Sequence, residues 1–108
     1  MRLLIMASVI CLGIAATATA QDAKAKGEKV YADQKCALCH SIADKGNKKG
    51  ALDGVGTKLT ADELRQWMVD AKGMTAKTKA TRKPDMKNYT LGKEDLDAIV
   101  AYMQSLKK

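Results

Sequence analysis

The chain has 108 residues and a net charge of +7, from 19 Lys and Arg against 12 Asp and Glu, with no Phe, one Trp and three Tyr. That length allows one domain at most. Three cysteines are too few for the disulfide framework that usually supports a small exported domain, so a large bound group that completes the core is the expected compensation.

The first twenty residues have the layout of a secretory signal peptide. Met1-Arg2 is a short positive start, Leu3 to Ala16 is almost unbroken apolar sequence, and Ala18-Thr19-Ala20 places small residues where a cleavage site needs them. Cleavage after Ala20 is expected, which leaves one domain over residues 21–108 in the periplasm, with no stable membrane insertion. An uncleaved anchor is the rival, but the run is marginal for a bilayer that needs about 20 apolar residues. Cys11 invites a lipoprotein reading, which bulky Ile10 before it disfavours.

The remaining pattern is all-α, without β-branched alternation. A first helix is expected from Asp22 to about Cys36, rich in Ala, Lys and Glu, with Val30 and Tyr31 on its apolar side. Residues 41–58 hold Gly46, Gly50, Gly54 and Gly56 and read as a flexible loop, in which Leu52 and Val55 are the main apolar residues after Ile42. Thr60-Ala61-Asp62-Glu63 is a capping-box pattern for a second helix, with Leu64, Trp67, Met68 and Ala71 at helical offsets and Gly73 at its end. Residues 74–91 carry the only proline, Pro84, and form a second aperiodic stretch, long enough to suggest function. From Gly92 the last helix carries a stripe of Leu96, Ile99, Val100, Met103 and Leu106.

The chemistry is concentrated in Cys36-Ala37-Leu38-Cys39-His40. Two thiols about one turn apart can add to the two vinyl groups on one edge of a porphyrin, and the adjoining imidazole then lies under the iron. Structural zinc would need a fourth protein ligand, and residues 21–108 offer no Cys or His beyond these three. A thioredoxin-like dithiol expects a βαβ setting, and a plain disulfide leaves His40 without a role. The expected cofactor is therefore one covalent haem c, attached through Cys36 and Cys39 and ligated by His40.

His40 is the only histidine, so ligation by two histidines of this chain is excluded. Met68, Met74, Met86 and Met103 are the candidates for the opposite face. Met68 and Met103 fall on apolar helix stripes, where core packing is the simpler role. Met86, after Lys83-Pro84-Asp85 in an irregular stretch, is favoured over Met74. Ligation by Met and His raises the reduction potential and leaves no open position for chemistry.

Gly27-Glu28-Lys29-Val30-Tyr31 ahead of the motif, the Gly-rich loop, Lys83-Pro84-Asp85-Met86, and the last helix through Tyr102 together resemble the small bacterial monohaem class I cytochromes c. The resemblance covers nearly all of residues 21–108. It implies short helices around a covalent haem, with the N- and C-terminal helices crossing, Gly27 permitting close approach, and Tyr102 or Met103 packing near Val30 and Tyr31. The residues after Met86 depart from the family, which commonly has proline there, whereas this chain has Lys87 and Asn88. Placement of the motif near the N-terminus argues against the gas-binding four-helix-bundle cytochromes.

An electron carrier rather than an enzyme is expected, working as a monomer; the alternative is a haem protein with a labile sixth ligand, acting as a weak peroxidase or small-ligand binder. Expected apolar lining residues are Leu38, Leu59, Leu64, Trp67, Met68, Leu91, Leu96, Ile99 and Val100. Trp67, Arg82 and Tyr89 are candidates to meet a haem propionate. Lys72, Lys77, Lys79, Arg82, Lys83 and Lys87 against Asp85 form a basic stretch, suited to steering an acidic redox partner protein. Nucleic acid would be the default partner of a cytoplasmic protein this basic; export and the haem motif argue against it.

Overall fold

The computed structural model describes residues 15–108. Most of the expected signal segment, Cys11 included, lies outside them. Among the described residues no helix is long and apolar enough to cross a membrane.

Helix α1 spans Ala15–Asp33, so it starts upstream of the expected Asp22 and stops short of Cys36. Ala-rich sequence with high helical propensity carries it upstream. It ends because Lys35 adopts a left-handed conformation, φ 56°, after which a 3₁₀ turn covers Cys36–Leu38. A two-residue hairpin follows, β1 (Ser41–Ile42) against β2 (Lys45–Gly46), turned by Ala43 and Asp44, both at positive φ. Strands this short have no period, which is why the sequence reads as loop there. A 3₁₀ turn at Lys48–Gly50 and helix α2 (Val55–Lys58) add order to the Gly-rich stretch.

Helix α3 (Ala61–Val69) starts on the expected capping box: the Thr60 hydroxyl accepts from the Glu63 amide at 3.2 Å, and the Glu63 carboxylate accepts from the Thr60 amide at 3.1 Å. Gly73 does not end this helix. The break falls at Asp70, whose carboxylate accepts from the Gly73 amide at 3.1 Å and starts helix α4 (Ala71–Thr78). An Asp side chain competes well for backbone amides and so makes a better cap than an interior residue. The first residues of the supposed loop, Met74 to Thr78, are consequently helical, and Lys79 at φ 55° closes α4. Helix α5 (Lys93–Ser105) begins after Gly92 as expected.

Helices α1 and α5 pack together, as the resemblance implies. They meet where Gly27 lies against Ala98 and Tyr102, and the Tyr31 and Tyr102 rings stand edge to face at 6.0 Å. The core joins Val30 of α1, Leu64 of α3, and Ile99, Val100, Tyr102 and Met103 of α5. Each such apolar side chain contributes about 1.5–3 kcal/mol on burial. The Gly-rich stretch is held to this core by the Gly56 amide, which donates to the Leu106 carbonyl at 2.8 Å. The ion pairs of Asp97 with Arg65 and Lys93, both at 2.7 Å, are largely exposed and add little.

Candidate haem site

The turn at Cys36–Leu38 is tight because the Cys39 and His40 amides both donate to the Cys36 carbonyl, at 3.1 and 2.9 Å. Asn47 holds it from across the hairpin. Its amide donates to the Ala37 and His40 carbonyls at 3.1 and 2.9 Å, and its side-chain Nδ2 donates to the Leu38 carbonyl at 3.2 Å. Sequence reasoning missed Asn47, whose only signal was its place in a Gly-rich loop. Leu38, expected as lining, stands at the rim and is 73 % exposed.

His40 Nδ1 lies 2.9 Å from the Gly50 carbonyl. A carbonyl only accepts, so Nδ1 carries the proton and Nε2 keeps its lone pair. Burial pushes the imidazole below its usual pKa; the Gly50 bond opposes this, and the Arg82 guanidinium adds to the depression. A neutral imidazole with a free Nε2 is the form that ligates a metal, and a backbone carbonyl on the other nitrogen is the usual way to orient it.

His40 borders a cavity of about 550 Å³, within the range that holds a multi-ring ligand. Its walls come from every helix between α1 and α5: Tyr31, Val55, Leu59, Leu64, Trp67, Met68, Thr75, Ile99 and Met103. Cys36 and Cys39 lie on the same wall as free thiols. Burial pushes the Cys36 thiol up and Cys39 adds to this, while Lys87 opposes. A raised thiol is unlike the activated cysteine of a redox dithiol. Among the described residues no three His, Cys, Asp or Glu side chains form a metal-holding group.

Of the four methionines, Met86 is half-buried and borders the cavity, whereas Met74 is 7 % exposed in α4 and does not line it. Met68 and Met103, expected as core, also reach the wall. Trp67, Arg82 and Tyr89 border the cavity too. Leu91, Leu96 and Val100, expected as lining, pack into the core instead. Leu52, Val55 and Tyr31 line it without having been assigned to it; Leu52 and Val55 were visible as the apolar residues of an otherwise polar loop.

Tyr31 adds a distinct feature. Its hydroxyl is buried with no hydrogen-bond partner among the described residues, and its pKa is pushed up to about 12, first by burial and then by Cys36, Tyr102 and Asp53. The folded state holds this proton more tightly than the unfolded chain. Its contribution to stability is therefore complete below pH 10 and is lost as pH rises through about 12. Replacing Tyr31 by Phe removes this proton from the balance. The same change should flatten the loss between pH 10 and 12, read from the helical circular dichroism signal.

An all-α frame wrapped around an apolar cavity, with two free thiols and an oriented imidazole on one wall, defines a protein built to hold a planar metal cofactor covalently. The chain matches the Cytochrome c family over residues 24–107 and belongs to it. No curated protein and no solved structure matches the chain. Its fold is that of a small class I cytochrome c, and it is a haem-binding electron-transfer protein, the family's haem c being covalently bound. The residues present fit that group: thiols for its attachment, a free imidazole nitrogen, and apolar walls.

Proposed function

We propose that this protein is an exported, periplasmic one-electron carrier. It would hold a single haem c through thioether bonds at Cys36 and Cys39, with His40 Nε2 and the Met86 sulfur holding its iron. Residues 1–20 are its export signal, removed after Ala20. It works as a monomer, and with His40 and Met86 both holding the iron it would be a carrier and not an enzyme.

One observation carries the reading: the bond from His40 Nδ1 to the Gly50 carbonyl leaves Nε2 free at a cavity that Met86 also borders. When bound, the haem supplies the iron that alternates between ferric and ferrous states. The chain's part is to keep the surroundings the same in both. Asn47 and Gly50 hold the proximal side rigid, so His40 does not turn. The apolar walls exclude water, which with Met and His ligation favours a raised potential. Transfer then demands little reorganisation.

Lys72, Lys77, Lys79, Arg82, Lys83 and Lys87 support the choice of an acidic partner protein, met in short encounters steered by charge. The test is the protein purified from an export-competent host. A chain cut after Ala20 that carries one covalently bound haem and gives a low-spin spectrum with a sulfur-to-iron band is the expected result. A high-spin spectrum that changes with carbon monoxide would replace the carrier by the weak peroxidase or ligand binder. Colourless protein with free thiols would remove haem from the account.

A further inference from the structure

The segment that carries Met86 is tied down at two points. On its C-terminal side, the Tyr89 amide donates to the Met68 carbonyl at 2.8 Å and the Asn88 side-chain oxygen accepts from the Lys72 amide at 3.0 Å, which fixes it to α3 and α4. On its N-terminal side, Arg82 Nη2 donates to the Cys39 carbonyl, inside the Cys-x-x-Cys-His turn itself. Between these anchors residues 83–87 are exposed except for Met86, and the one bond in the stretch is the local Lys83–Asp85 ion pair at 2.8 Å.

Gly50 makes room for the second anchor. A Cβ there would run into the Arg82 guanidinium and the Cys39 carbonyl, while the Gly50 carbonyl receives His40 Nδ1. Arg82, Cys39, Gly50 and His40 thus form one connected group, in which the residue four before Met86 is bonded to the backbone beside the proximal ligand. A bond from a charged guanidinium is stronger than a neutral one, and a Lys ammonium does not place its donors where the planar guanidinium does.

We infer that Arg82 is a positioning residue that clasps the Met86 segment to the His40 turn and so keeps the Met86 sulfur on the iron. The clasp rests on the ligation proposed above. Without it residues 81–87 are held, among the described residues, only at their two ends, by Ala80, whose amide donates to the Thr75 carbonyl at 3.1 Å, and by Asn88 and Tyr89, and the sulfur leaves more often.

Imidazole added to the ferric holoprotein reports this directly, since it takes the place of the Met86 sulfur, one neutral ligand for another. Arg82→Gln is expected to raise imidazole affinity about tenfold, the effect of losing one charge-assisted hydrogen bond. Arg82→Lys should fall between Gln and the wild type. Lys77→Gln, which removes a charge from the same basic stretch but has no place in the clasp, should leave the affinity unchanged. Wild-type affinity in Arg82→Gln, or an equal rise in Lys77→Gln, overturns the clasp. A wild-type protein that lacks the sulfur-to-iron band overturns the Met86 ligation and the clasp with it, whereas a band with unmoved affinity overturns the clasp alone.

Discussion

Replacing Gly27 by Val is expected to separate the two terminal helices. A Cβ at position 27 would meet the Ala98 carbonyl and the Tyr102 Cβ, both well inside contact distance, and neither is the free end of a flexible side chain. The helices must therefore move apart, which opens the Tyr31–Tyr102 contact and the packing of Val30 against Ile99 and Met103. Overpacking of this kind costs about 3 kcal/mol, a large part of the stability of so short a chain. The melting temperature should fall by roughly 12–24 °C. The helical signal on heating checks this, and a fall of a few degrees only would mean that α1 bends to accommodate the side chain. Because Ile99 and Met103 are also cavity wall, the same variant should carry less covalently bound haem per chain.

Met86→Ala is expected to abolish the sulfur-to-iron band, give a high-spin ferric spectrum and open the iron to carbon monoxide. Met74 is buried in α4 away from the cavity and does not offer a replacement without unwinding that helix. Met68 and Met103 do reach the wall, but from positions set by the packing of α3 and α5. The reduction potential should fall by on the order of 0.1 V, part of the roughly 0.8 V over which axial ligands tune haem. Optical titration in the presence of mediators reads both changes. Survival of the band would pass the role to another methionine, with Met68 and Met103 the ones at the wall.

How far local pattern carries can be seen at individual residues. The Thr60–Glu63 capping box and the stripe of α5 were legible because both arise from contacts three or four residues apart. Gly73 misled because glycine usually follows a helix, whereas Asp70 three residues earlier offered a stronger alternative to the backbone. Helical period identifies the inward face of α5 but not what lies opposite each residue on it. Ile99 and Met103 belong both to the core and to the cavity wall, while Leu96 and Val100 pack in the core alone, a division set by what the other helices place against α5. The hairpin at Ser41–Gly46 was invisible for want of length.

The chemistry available to the chain follows from its residues alone. Two cysteines and the sole histidine in five residues limit what the chain can bind, and the absence of a second histidine sends the search for an opposite ligand to the methionines. How those groups are held follows from the folded arrangement. Which nitrogen of His40 is free depends on Gly50, ten residues away, and the anchoring of the Met86 segment depends on a bond between Arg82 and Cys39, forty-three residues apart. Neither pairing has a local signature, because each is set by where the folded helices bring two irregular segments together.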